Sequence, residues 1–230
     1  MSYNSVVSSA PPTTNEPAGA ALYSGQRRDA FYKRMFDILV ASTAIMFCAP
    51  LLIAIALLVK TLVGNKCIYR HRRVGRNGLP FHCYKFRSML PDADHILEAH
   101  LKGSPEAALE WRTTHKLKND PRITRFGRLL RATSLDELPQ LFNILRGDMS
   151  CVGPRPIVFA ELERYGASAG MYFKVRPGLT GLWQVSGRSR LSYAERVALD
   201  RYYVTSRSML VDLTILVRTV PAVMRLAQTS

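Results

Sequence analysis

Between Ile38 and Val59 the chain reads ILVASTAIMFCAPLLIAIALLV, 22 residues without a charge. As a helix the run spans about 33 Å at ~1.5 Å per residue, the depth of a bilayer's hydrocarbon. Such a helix either lies in lipid or forms the buried core of a domain. Two features argue against a simple crossing. Pro50 falls near its middle, where it removes a hydrogen bond and bends or breaks a helix. Both flanks are basic, with Arg27, Arg28, Lys33 and Arg34 before the run and Lys60, Lys66, Arg70, Arg72 and Arg73 after it. The positive-inside bias then keeps both ends on one side. The sequence predicts a re-entrant helix, broken at Pro50, that enters and leaves through the same leaflet. Asp37 at its edge is expensive unless paired, and Arg34, three residues earlier, is a candidate partner.

This helix divides the chain. Residues 1–26 are rich in Ser, Thr, Pro and Ala, with Glu16 the only charge. They bury little and read as a disordered tail; they lack the charged start and apolar core of a signal peptide. Residues 27–64 carry the membrane helix and 65–230 a domain on its cytoplasmic face. The formal net charge is +15 in a chain that is 47% hydrophobic, which points to nucleic acid, anionic lipid or a phosphorylated substrate as partner. Cys48, Cys67, Cys83 and Cys151 show neither C-x-x-C pairing nor zinc spacing, and read as reduced thiols in a cytoplasmic compartment.

The domain reads as α+β and mainly helical. Ile68/Tyr69 and Phe81–Phe86 are candidate strands around Arg76-Asn77-Gly78, and Asn-Gly is a strong hairpin signal. Lys85 and Arg87 alternate with Tyr84, Phe86 and Ser88, which puts both cations on one strand face. Residues 91–118 suit one or two surface helices broken at Gly103-Ser104-Pro105. Residues 158–174 and 193–206 look helical. Met209–Leu226 is apolar but contains Asp212, Arg218, Pro221 and Arg225, as an interfacial amphipathic helix would, or a helix packed on the domain.

The chemistry concentrates between Arg122 and Pro156. Arg122, Arg125, Arg128 and Arg131 recur every three residues, so they share one side of a helix. Guanidinium groups suit phosphate oxygens; a solvated basic face is the plainer reading. Asp136 and Glu137 follow in Ser134-Leu135-Asp136-Glu137-Leu138-Pro139. Ser134 with Glu137 has the form of a capping box, but Pro139 would then interrupt the new helix. If Pro139 instead opens the helix, the carboxylates sit just before it and Leu138 is pushed out of the α region. Leu138, Leu141, Phe142 and Leu145 have helical spacing and should face a core. Pro154-Arg155-Pro156 holds an arginine between two prolines, for anion binding or as a turn. In RPGLTGLWQVSGR (176–188) three glycines permit close backbone approach to a ligand. Trp183 there suits the core better than a stacking role, and the loop is neither a Walker A loop nor G-x-G-x-x-G.

Four segments, KRMFD (33–37), KFRSM (85–89), NDPRITRFGRLLRATSLDELPQLFNILRGDMSCVGPRP (119–156 with its final proline) and RPGLTGLWQVSGR (176–188), closely resemble the bacterial monotopic polyprenyl-phosphate sugar-1-phosphate transferases. The likeness covers roughly 30–225. The short form resembles the galactosyl- or glucosyl-1-phosphate transferases that start exopolysaccharide synthesis, notably the succinoglycan type. The resemblance implies transfer of a hexose-1-phosphate from a UDP-sugar to undecaprenyl phosphate, with release of UMP. It implies Asp136 as nucleophile in a covalent phosphosugar intermediate, Glu137 assisting, and Mg²⁺ held by Asp136. Arg131, Arg155 and Arg188 match arginines near the phosphates, and Lys85 and Arg87 are carried over with them. It also implies the inner-membrane lipid as surroundings, a catalytic domain on the cytoplasmic face and downstream glycosyltransferases as partners. The family breaks its helix at a Ser-Pro pair; Ala49-Pro50 keeps the proline and lacks the hydroxyl. A non-catalytic scaffold of a polysaccharide-assembly complex is the alternative, opposed by intact Asp136, Glu137 and Arg131. A nucleic-acid binder is opposed by carboxylates amid the basic residues and by the lack of a recognised module.

Overall fold

The computed structural model describes residues 16–64, 66–114 and 117–228. The chain divides by contact into two units, 1–36 and 37–230, so the apolar residues from Asp37 onward belong to the same compact unit as the domain after them. In order the elements are α1 (Glu16–Leu62), β1 (Ile68–Val74), β2 (Pro80–Phe86), α2 (Ala93–Gly103), α3 (Pro105–Thr114), α4 (Arg125–Ala132), α5 (Gln140–Arg146), β3 (Ser150–Val152), α6 (Leu162–Tyr165), α7 (Ala169–Tyr172), β4 (Gly178–Thr180), α8 (Leu182–Ser186), α9 (Tyr193–Ser206) and α10 (Met209–Gln228). The mainly helical reading holds, with two small two-stranded sheets.

α1 departs from expectation twice. It begins at Glu16, inside the segment expected to be disordered. Ala18, Ala20, Ala21 and Leu22 are strong helix formers, a propensity that a judgement based on burial overlooks. Residues 1–15 of that tail lie outside the described residues. The helix also runs on through Pro50 where the sequence suggests a break. A helical proline forfeits one hydrogen bond, but packing holds the turns on either side. Asp37, Ala41, Leu52, Ile55, Val59 and Val63 form one buried stripe against the domain. The other side exposes Leu39, Met46, Phe47, Ile53, Leu57 and Leu58. Within Ala30–Leu62 this is a helix long and apolar enough to cross a membrane.

The hairpin forms as expected. β1 and β2 are antiparallel with Arg73 opposite Phe81 and His71 opposite Cys83, and Asn77 takes a left-handed φ of 60° in the turn. Asn143, fully buried on α5, ties this hairpin down: its Oδ1 accepts from Tyr84 N at 2.9 Å and its Nδ2 donates to His82 O at 2.7 Å. β3 and β4 pair in parallel, Ser150 with Gly178 and Val152 with Thr180. A Cβ at Gly178 would lie 2.1 Å from Gly153 N, so only glycine lets these backbones meet. α2 and α3 break where expected. Residues 158–174 are chopped into short turns around α6 and α7 instead of one helix; Gly166 at φ 48° interrupts it.

Three apolar clusters hold the unit together. One joins Ala41 of α1 to Leu141, Ile144, Met149, Val152, Tyr203 and Ile215. A second joins Leu52, Ile55, Val59 and Val63 of α1 to Phe86 and Leu130. A third surrounds Val74, Ile157, Tyr165 and Tyr172. Leu141 enters the core and Leu138 and Leu145 pack beside it, but Phe142, expected there, is exposed; a short α5 has room for only one inward row. α10 buries Asp212 and Ile215 and leaves Leu210, Leu213, Val217 and Val220 exposed.

Asp37 is 1% exposed. Its Oδ1 accepts from Ser150 Oγ at 3.1 Å and from Cys151 N at 3.0 Å, which locks α1 to β3. Asp37→Ala takes its acceptor from the buried Cys151 amide, while the Ser150 hydroxyl keeps Val152 O at 2.9 Å, and should cost about 1–3 kcal/mol. Thermal unfolding in detergent checks this, and an unchanged midpoint would contradict the anchoring role.

Candidate functional site

The carboxylates sit in a 3-10 turn, Leu135–Glu137, immediately before α5. The capping-box alternative is not what forms: Ser134 adopts a left-handed φ of 58° and its side chain caps nothing. Pro139 takes the N-cap position of α5, close to the second alternative. Leu138, however, stays in the α region at φ −52°, ψ −35°. Three residues make one 3-10 turn, so Leu135 and Leu138 point the same way. Both pack on the cluster formed by α1 and Leu130. This turns Asp136 and Glu137 toward the hairpin.

Glu137 is clamped. Lys85 Nζ donates to its Oε1 at 2.6 Å, and Arg155 Nη1 lies 3.8 Å from the same oxygen. Burial pushes the Glu137 carboxyl up, but Lys85 and Arg155 outweigh it and hold the group below the usual range. Asp136 is 8% exposed, and no donor hydrogen-bonds its carboxylate among the described residues. Burial, the largest influence, pushes it up to about 6; Glu137 adds to the rise, and Lys85, Arg131 and Arg155 oppose it. Two adjacent acids thus titrate apart, an arrangement frequent at functional sites.

Each remaining residue has its own support. Arg155 is placed by hydrogen bonds on either side of its loop, Gly153 N to Thr180 O at 2.9 Å and Gly178 N to Pro154 O at 2.7 Å. Arg131 Nε donates to Ser88 Oγ at 2.8 Å, and α4 can approach Ser88 so closely only because residue 127 is glycine: a Cβ there would lie 2.0 Å from Ser88 O. Arg188, at φ 51°, donates from Nε to Gln184 O at 2.9 Å and lies within electrostatic reach of Glu137 and Arg155.

The structure therefore gathers Lys85, Asp136, Glu137 and Arg155, with Arg131 and Arg188 close enough to be felt. Arg87 lies past the end of β2, and its Nε donates to Lys66 O at 2.9 Å, so the shared strand face with Lys85 does not form. Pro50 lies on α1, apart from these groups. The arginine row splits. Arg122 precedes α4 and is buried in a two-pronged pair with Asp120, at 2.8 and 2.6 Å, over the Trp111 ring at 5.0 Å. Arg125 and Arg128 are exposed. The glycines of the second loop meet protein: Gly178 and Gly181 abut the Gly153 backbone. Trp183 is buried under Arg196 at 4.8 Å.

Sequence reasoning missed Arg73 and Gln140, which line a cleft with Lys85, Glu137 and Arg155. Arg73 carried a signal. It alternates with His71 on β1; both are half-buried, while Arg70 and Arg72 are exposed.

Among the described residues no group of three or more His, Cys, Asp and Glu side chains could cage a metal. The residues present do fit Mg²⁺ in its commoner form, held through one carboxylate and the substrate's own phosphates. Asp136 has the vacant oxygens for it, whereas Glu137 is engaged by cations.

A sequence profile described as bacterial sugar transferase matches residues 28–226. Exopolysaccharide production protein ExoY of Sinorhizobium fredii is 53% identical over 191 residues, 83% of this chain and 84% of that protein. Undecaprenyl-phosphate galactose phosphotransferase of Salmonella typhimurium is 50% identical over 200 residues, 87% of this chain but 42% of its own length. UDP-glucose:undecaprenyl-phosphate glucose-1-phosphate transferase of Klebsiella pneumoniae is 38% identical over 199 residues, 82% of this chain and 39% of its own length.

Raising the Asp136 carboxyl from 3.8 to about 6 means that the fold binds this proton more tightly than the unfolded chain does. Stability is then lost as pH rises through that window, by about 3 kcal/mol at most. Asp136→Asn cannot ionise, so it should unfold at a higher temperature than the natural protein at pH 8. The gap should narrow toward pH 4. A variant less stable at pH 8 would contradict the desolvated carboxylate.

Proposed function

The chain belongs to the bacterial sugar transferase family, and from that membership and the site we propose that it transfers a hexose-1-phosphate, galactose or glucose, from a UDP-sugar to undecaprenyl phosphate. The observation that carries the chemistry is the Asp136 carboxylate, buried and without a donor beside a Glu137 held by Lys85 and Arg155. An acid with no hydrogen bonds to break is ready to attack. Its oxygen bonds to the phosphorus that bears the sugar, and the bond to the UMP oxygen breaks. The lipid phosphate oxygen then attacks the same phosphorus and frees Asp136. Lys85, Arg155, Arg131 and Arg188 balance the charge that passes onto phosphate oxygens. Mg²⁺ shared between Asp136 and the diphosphate would neutralise further charge on the transferring group.

The fold supports a lipid acceptor. The turn bearing the two acids packs through Leu135 and Leu138 on the apolar helix, whose outer side is bare and apolar. The same stripe of α1 packs on the domain before and after Pro50; a crossing helix would draw that domain into hydrocarbon. We therefore favour a helix that bends at Pro50 while keeping its helical turns, and so enters and leaves one leaflet of the inner membrane, with α10 on the cytoplasmic surface through Leu210, Leu213, Val217 and Val220. Exopolysaccharide synthesis and downstream glycosyltransferases complete this reading.

Purified protein in detergent, given undecaprenyl phosphate, Mg²⁺ and a panel of UDP-sugars, should release UMP with one of them. Silence with every donor, from folded protein and a competent lipid, would shift the account to a scaffold. Turnover should decline as pH falls below about 6, where Asp136 takes up its proton; a rate flat down to pH 4.5 would contradict an ionised Asp136. EDTA should stop the reaction and added Mg²⁺ restore it, and persistence in EDTA would remove the metal from the account.

A further inference from the structure

Two polar groups in the cleft have no part in the chemistry above. Gln140 is 3% exposed and lines the cleft, so its side-chain amide lies on the surface a ligand there would cover. A ligand that fills the cleft must offer this amide a partner or leave it unsatisfied.

Arg73, with 14% of its side chain exposed, reaches the same cleft from β1. It is held from behind. Nη1 donates to Pro156 O at 3.1 Å and lies 3.6 Å from Glu161 Oε2, and Nη2 donates to His71 Nδ1 at 3.2 Å. His71 can accept because burial, then Arg73 and Lys85, depress it to about 4 and keep it neutral. A guanidinium carries five N–H donors, so this fixed fork retains donors for another acceptor. Arg73, Lys85 and Arg155 place three positive charges on the cleft against the single carboxylate of Glu137. Burial, and then the nearby Arg155, disfavour the charge on Arg73. An anion between the two arginines relieves that repulsion.

We infer that Arg73 and Gln140 contact substrate, and that with Lys85 and Arg155 they bind a terminal phosphate monoester. The inference rests on the transferase reading, in which both the departing UMP and the lipid acceptor carry such a group. Arg73 supplies a pre-set pair of donors, and the Gln140 amide donates to a third phosphate oxygen.

The test uses the full chain in detergent, with UMP and inorganic phosphate titrated by calorimetry and kinetics measured beside it. Gln140→Met keeps the side-chain length and removes the amide. This variant should unfold close to the temperature of the natural protein, yet bind UMP about tenfold more weakly. Arg73→Lys, which keeps the charge and loses the fork, should also bind UMP about tenfold more weakly, at some cost in stability because its bonds to Pro156 O and His71 are lost. Unchanged UMP affinity with a tenfold higher KM for undecaprenyl phosphate assigns the site to the lipid phosphate and upholds the inference. Natural affinity and KM in Gln140→Met overturn it, even if the transferase turns over normally. If no UDP-sugar is a donor, weaker phosphate binding by both variants still upholds the site while the transferase reading fails.

Discussion

Leu135 and Leu138 anchor the site. One 3-10 turn brings them to the same side, and there they join Leu52, Ile55 and Val59 of the apolar helix and Leu130 of α4. Both are partly buried there, and each removes apolar surface from water, so the turn between them is held against that helix. Asp136 and Glu137 occupy the two positions in between and must face the hairpin. The apolar helix is thus a structural wall of the site. In the proposed reading it is also the contact with lipid, and it keeps the domain where a polyprenyl phosphate presents its head group.

Placed side by side, the two acids receive opposite surroundings. Glu137 meets Lys85 and Arg155 and stays ionised; Asp136 is buried without a donor and holds its proton up to about 6. One acid organises the cations and the other keeps its oxygens unused, a division of roles set by environment. The surrounding backbone is strained. Ser134 and Arg188 are two of the three described non-glycine residues at positive φ, and the third, Asn77, is an ordinary turn residue. Such conformations persist only where packing over-determines them, as Leu135 does beside Ser134.

Much of this was legible in the residues. Asn77-Gly78 announced the hairpin, the uncharged run announced α1, and the order of the four motifs announced the family. What local patterns misjudged was decided by distant partners. The arginine spacing looks like one helical face, yet Asp120 and Trp111 capture Arg122 before the helix begins. The loop glycines look like a ligand cradle, but β3 and β4 need them to lie backbone to backbone. Pro50 looks like a break, but the two apolar clusters hold the turns around it. Arg73 hid among flanking charges because its role depends on Pro156 and Arg155, some eighty residues away. Gln140 hid beside the acids because an amide's importance shows only once the cleft it lines is known.

The central claim is that Asp136 becomes covalently bonded to the phosphosugar. Its most direct test is to incubate the protein with its UDP-sugar and Mg²⁺ in the absence of lipid acceptor, quench in acid and map the adduct by mass spectrometry. A hexose-phosphate mass on Asp136, absent from Asp136→Asn and discharged by adding undecaprenyl phosphate, is the predicted result. An unmodified Asp136, with UMP appearing only when the lipid is present, would mean that the lipid phosphate attacks the donor directly.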